Sequence, residues 1–508
     1  MKNSRSTFLI IGAAIAVLGM VAVAAFWLLP RLLGADGDAI VQHMPDNTAV
    51  FAEINLLNLQ DNASRQTAAA FEETYNSADI PFNPADPSTI FNGLDGALSS
   101  LAGVTVSEDV RPWVGANAGA GFLPPGEDGQ PRWLLAATVR DAAGATAFIE
   151  KVNGMGQGTA VRHDSLVLLA SDPATLAAAQ AAPDGLSLAD SRRYQQTMAE
   201  LPDKRAATLY VNMAEMDKLL ATAVPPEQEG MVQAIRGILP AYTSLGLAAF
   251  ATDTGIQVEM VGLHGPLTAT QQALLAAQTA VPTSDAYLPA DTAVYLTGQR
   301  LDLLWQLLKG SLDGLGYSTA DVDEATRLFA GLFGFNPDTE LLAALDGAFA
   351  LALIPTAGGT AVPGLSGVLL AEHNQPDKLA EQATLLAAGL PRLGFATAND
   401  NGVFLVNNPD GTPLAVYAVD GARVIVSTDA AGVTAVTTTT DSLTAAPAYQ
   451  GIWAHLPGEA KPLLFANAAP LAGLFNLDPE TLPITHAVMG TTSDDAISRA
   501  TLLLILGD

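Results

Sequence analysis

The feature that most constrains this chain is a spacing. In four places a Pro is followed ten residues later by a side-chain amide: Pro45 by Asn55, Pro202 by Asn212, Pro289 by Gln299 and Pro457 by Asn467. The first and third copies carry an aromatic six residues after the Pro (Phe51, Tyr295), whereas the second and fourth carry it at eight (Tyr210, Phe465). The order is A, B, A′, B′, and an internal repeat governs architecture before any local propensity is weighed. In the first copy Val50, Ala52 and Ile54 alternate with Phe51, Glu53 and Asn55, the period of a strand with one wholly apolar face. Each amide is placed to end its strand and cap a helix, and Asn212 with Glu215 three residues on has the pattern of a capping box.

At 508 residues and 49% hydrophobic content the chain can bury more than one core. Residues Thr7 to Leu29 hold no charge and are long enough to cross the roughly 30 Å hydrocarbon layer as one helix. Lys2 and Arg5 before the run, against Arg31 alone after it, put the N-terminus in the cytoplasm and the body outside it. A cleaved signal peptide is the competing reading, but the apolar run continues past the small-residue site Ala22-Val23-Ala24. The expected organisation is thus a cytoplasmic N-terminus and transmembrane anchor (1–33), a spacer (34–43), a first repeat half (44–265), a linker (266–287) and a second repeat half (288–508). The protein is expected to be a single-pass cell-membrane protein.

Between the repeat copies, helical and strand patterns recur in the same order. Turn signals such as Asp253-Thr254-Gly255 and Ser493-Asp494-Asp495-Ala496 mark hairpins. The second half is longer between its two copies, and Asn399-Asp400-Asn401-Gly402 with Asn408-Pro409-Asp410-Gly411 marks an added hairpin there. The fold class expected is α+β: a transmembrane helix, then two tandem halves of mainly antiparallel sheet with packing helices.

The sequence combines an expected single N-terminal anchor, a strand opening each half in the pattern L/M-P-x-x-T-A-V-aromatic, and a helix leading into an apolar strand (VRPWVGANAGAGF, LLAALDGAFALAL). On these motifs the chain resembles the exported bacterial family catalogued as domain of unknown function 3352. The resemblance implies architecture and an exported location, and it carries no chemistry over.

Composition and motifs exclude more than they assign. Lys and Arg number 23 against 52 Asp and Glu, a net charge of −29 that repels nucleic acid and anionic headgroups. The absence of Cys excludes disulfides, thiol catalysis and Cys-ligated metals. The six His stand apart in sequence, there is no GxxxxGK or GxSxG motif, and Gly154 to Gly158 follows a helix rather than opening one. No catalytic, cofactor or metal site is expected. Acidic pairs such as Glu108/Asp109, Asp321/Asp323 and Asp494/Asp495 read as helix caps and solvated turns, and Glu53 as a solvent-facing strand residue.

Offsets of six, eight and ten are all even, so each aromatic shares a strand face with its amide. Phe51, Asn55, Tyr295 and Gln299 are therefore the candidate ligand-binding residues. The alternative is that each ring packs beneath the helix its own amide caps. The function expected is a membrane-anchored extracytoplasmic binding or scaffold protein, touching the bilayer through residues 7–29 and an envelope protein or ligand through its body. The alternatives are an envelope hydrolase using carboxylates converged in space and a carrier of apolar ligands, which needs an apolar cavity.

Overall fold

A computed structural model describes residues 40–55, 105–156, 158–224, 241–278, 283–312, 316–458, 460–472, 484–494 and 496–507, with isolated residues 63, 230, 232 and 482. The chain forms two compact units, one of residues 1–226, 242–264 and 505–508, the other of residues 227–241 and 265–504.

In unit 1 the strands are β1 (Val50–Asn55), β2 (Val114–Leu123), β3 (Arg132–Val139), β4 (Thr159–His163), β5 (Leu166–Ala170), β6 (Ala207–Asn212), β7 (Tyr242–Thr252) and β8 (Gly255–His264). They pair antiparallel in the order β4-β5-β3-β2-β1-β6-β7-β8. The first repeat strand is central, pairing with β2 along one edge and β6 along the other. One face holds Phe51 and Tyr210, directly paired across β1 and β6, with Ile40 and Met44 fully buried beside them. Gly119 and Gly121 of β2 allow this approach, since a Cβ there would stand 2.7 Å from Ile40 and 2.8 Å from the Met44 sulfur. The other face takes the helix Ala142–Met155, whose Ala145, Phe148 and Val152 meet Trp113, Val167 and Leu169. Asp141 starts that helix by accepting from the backbone N–H groups of Ala143 and Gly144, and Gly156 ends it at φ 68°.

In unit 2 the strands are β9 (Val294–Gln299), β10 (Ala348–Pro355), β11 (Leu365–Glu372), β12 (Ala396–Asp400), β13 (Val403–Asn407), β14 (Pro413–Asp420), β15 (Arg423–Ser427), β16 (Lys461–Asn467), β17 (Ile484–Ser493) and β18 (Ile497–Leu506). Their order runs β12-β13-β14-β15-β11-β10-β9-β16-β17. From β14 to β17 this is, strand for strand, the unit 1 order from β4 to β7, with β12 and β13 added beyond β14. Asn401 and Gly402, at φ 53° and 90°, make the tight turn between those two.

Two expectations are corrected. The sequence predicts a transmembrane helix followed by two halves, each with its own sheet, whereas the described strands belong to one large antiparallel sheet of 18 strands with packing helices. Repeat spacing locates the strands that open each unit, but every paired strand still offers its second edge to a neighbour. The spacing therefore says nothing of where a sheet stops. The apolar run Thr7 to Leu29 lies outside the described residues. Among the described residues no helix is long and apolar enough to cross a membrane. The longest of these, Thr319–Phe333, has 15 residues and carries Asp321, Asp323, Glu324 and Arg327; at 1.5 Å per residue it reaches only about 22 Å. The single-pass membrane location expected from the sequence therefore has no support in the fold.

Candidate functional site

Strand β10 reads Ala-Phe-Ala-Leu-Ala-Leu-Ile-Pro, apolar on both faces. One face is buried core: Ala350, Ala352 and Ile354 lie against Tyr295 of β9 and Val368 of β11. The opposite face is a row set by register, in which Leu296 pairs with Leu351, Leu351 with Leu369, and Leu369 with Val426. Directly paired residues share a face, so four strands present one apolar stripe. Helices cover the same face farther along. Leu301 and Leu304 pack on Phe349 and Ala371, while Ala383 and Leu386 of the helix Pro376–Gly389 pack on Phe404 and Tyr417. The Tyr417 hydroxyl fixes that helix by donating to the Ala383 carbonyl at 2.9 Å.

Among the described residues, these helices leave uncovered a hollow of about 450 Å³, walled chiefly by Val294, Leu296, Leu351, Leu353, Leu369 and Val426. Leu351 is 46% exposed and Leu414, at the rim, 50%. Gly367 lies in the floor between Leu365 and Leu369, where it presents no side chain. The polar residues of the wall are Ser427 and Thr428. Both hydroxyls are engaged: Thr428 donates to Asp429 and accepts from the Gly367 N–H, each at 3.1 Å, and Ser427 accepts from the Asp429 N–H at 3.3 Å. The hollow is open and almost wholly apolar, and its lining carries no charge.

The residues singled out in the sequence lie elsewhere. Phe51 and Tyr295 are fully buried, on the sheet faces opposite the Ala52 and Leu296 side chains, and Asn55 and Gln299 are half-buried. The structure brings the four repeat aromatics together in twos, Phe51 with Tyr210 and Tyr295 with Phe465. Each pair is met by the edge of one more Tyr. Tyr194, from the helix Arg192–Ala199, stands 6.3 Å from Phe51 and 5.1 Å from Tyr210 between ring centres; Tyr449, from the helix Pro447–Trp453, stands 5.1 Å from Phe465. These covering helices precede β6 and β16 rather than follow the amides. Burial pushes the Tyr295 hydroxyl up to about 12, with the Asp285 carboxylate adding to the effect. Asp285 is itself raised by burial while it accepts from the Tyr449 hydroxyl at 2.7 Å. Asn212 stands at the start of the helix Met213–Ala223 without a side-chain cap bond; its Oδ1 accepts from Arg193 at 3.3 Å instead.

The acidic pairs resolve into structural duties. Asp109 accepts from Thr105 and Lys151, Asp321 closes a capping box with Ser318, Asp323 pairs with Lys309 at 3.0 Å, and Asp494 accepts from the N–H groups of Ala496 and Ile497. Among the described residues no group of three or more His, Asp or Glu converges as a metal site. Sequence reasoning passed over the hollow, and the signal available was the run of apolar residues on both faces of β10 and β11. Such runs ordinarily mean burial on both sides, and here one side is open.

No curated protein matches this chain. Among solved structures, one titled "Structure of crystal form I of TP0453" aligns with 45% of this chain and 81% of its own at 12% identity. Its TM-score of 0.24 is too small for the likeness to carry an argument. Residues 152–488 match the family described as "Protein of unknown function (DUF3352)", and the chain belongs to that family.

Proposed function

We propose that this is a binding protein whose second unit holds a small apolar molecule in the hollow over β9, β10, β11 and β15. The observation that carries the reading is the register row Leu296, Leu351, Leu369 and Val426, left open on a face that helices cover elsewhere. A volume of about 450 Å³ falls within the range of small-ligand sites, roughly 300 to 1,000 Å³. Finishing the burial of several half-exposed aliphatic side chains supplies about 1 kcal/mol apiece. With the ligand's own apolar surface, that supports micromolar affinity, about −8 kcal/mol. The engaged Ser427 and Thr428 hydroxyls and the chain's charge of −29 select against anionic ligands. The ligand class is neutral or cationic and mostly hydrocarbon.

Titration of the full chain with the neutral fluorophore Nile red tests this. Saturable one-site enhancement is expected, weakened at least tenfold by Leu351→Asp and unchanged by Leu328→Asp, a 63% exposed leucine on the helix Thr319–Phe333. Equal affinity in wild type and Leu351→Asp, with both folded, overturns the proposal.

A further inference from the structure

Two of the six His residues, remote in sequence, come together in unit 1. His43 ends the short helix Val41–His43 and His163 ends β4; their ring centres are 5.1 Å apart with planes at 76°. His43 Nδ1 lies 3.2 Å from the Ala179 carbonyl oxygen. A carbonyl only accepts, so Nδ1 carries the proton and Nε2 of the neutral ring carries the lone pair. This arrangement orients metal-binding imidazoles, one nitrogen tied to a backbone carbonyl and the other left for the ion.

We propose that His43 and His163 together bind one divalent transition-metal ion, Cu²⁺ more tightly than Zn²⁺. The ring spacing supports it. A metal–nitrogen bond of about 2.0 to 2.1 Å sets each ring centre roughly 3.2 Å from the ion, and a tetrahedral angle then separates the centres by about 5 Å. The preference follows the ordinary affinity order of imidazole sites. The protein donors of the proposed site are the two imidazoles, and water would complete the ion's coordination. Asp164, whose Oδ2 is 3.9 Å from His163 Nε2, adds negative charge beside the ion without being required as a ligand.

The test is Cu²⁺ titration of the full chain in a non-coordinating buffer, read by calorimetry and by electron paramagnetic resonance. One ion with a two-imidazole signature is expected. His163→Gln should lose one nitrogen from the spectrum and weaken binding at least tenfold. His43→Gln should do the same, and His455→Gln, at an exposed position in unit 2, should change neither. Should the buried His43 variant misfold, the part-exposed His163 variant decides alone. No binding by the wild type, or an unchanged spectrum in His163→Gln, overturns the proposal.

Discussion

The two units build one framework and finish it differently. In unit 1 the Thr48 hydroxyl donates to the Pro45 carbonyl at 2.6 Å, Pro45 bridges to Ser187, and the Asn212 N–H donates to the Ala49 carbonyl at 2.8 Å. In unit 2 Thr292 donates to Pro289 at 2.6 Å, Pro289 bridges to Ser442, and Asn467 donates to Ala293 at 2.8 Å. Across the opposite face the register row reads Leu209, Ala52, Ala120, Leu135, Leu169 in unit 1 and Leu464, Leu296, Leu351, Leu369, Val426 in unit 2. Two alanines stand where unit 2 has two leucines. The repeated motif thus fixes the buried face in both units, and the apolar wall of the hollow comes from residues the motif leaves free.

The most disruptive way to probe the shared framework is to empty it. Tyr210→Ala and Tyr295→Ala each remove a fully buried ring and should cost about 3 to 5 kcal/mol in urea denaturation. A cost below about 1 kcal/mol at either site would show that its ring is not core. Next in size are Thr48→Val and Thr292→Val, which delete the matched hydroxyl bonds and should cost about 1 to 2 kcal/mol each. Clearly unequal costs would break the equivalence of the two openings.

A third experiment turns one unit into the other. Leu296→Ala with Leu351→Ala gives unit 2 the small residues of unit 1. Because Leu351 is already 46% exposed, stability should fall by no more than about 2 kcal/mol for the pair, whereas Nile red affinity should fall about tenfold. Retained affinity would mean that the leucine row is not the binding surface.

What the sequence revealed follows from which interactions are local. The strand openings, the Asn401-Gly402 turn and the hairpin it closes depend on neighbours in the chain, so spacing and turn chemistry display them. The hollow depends on four strands coming into register and on where helices stop covering them, which no single stretch encodes. The His43–His163 contact is invisible for the same reason. At Asn212 a local rule lost to a tertiary partner: the capping pattern is present, but Arg193 takes the side-chain oxygen. The four repeat amides and aromatics reported the framework, and the proposed site lies on its other face.

The smallest expected effect concerns the charge beside the aromatic clusters, where the units differ in sign. In unit 1 burial pushes Tyr210 up to about 12 and the Arg193 cation pulls the other way. In unit 2 burial raises Tyr295 and the Asp285 carboxylate raises it further. Asp285 is also raised, chiefly by burial, although its bond from the Tyr449 hydroxyl favours the charged form. A carboxyl whose folded pKa exceeds its unfolded value of about 3.9 holds its proton more tightly when folded. Its contribution to stability is present below the unfolded pKa and is lost as pH rises through the raised folded pKa. Asp285→Asn keeps an acceptor for Tyr449 and removes the titration. In urea denaturation from pH 4 to 7, the stability of the wild type relative to Asp285→Asn should therefore decline as pH rises. A difference that stays flat would show that folding does not raise Asp285, one that grows in favour of the wild type would place it in an environment that stabilises its charge, and either would remove the contrast with unit 1.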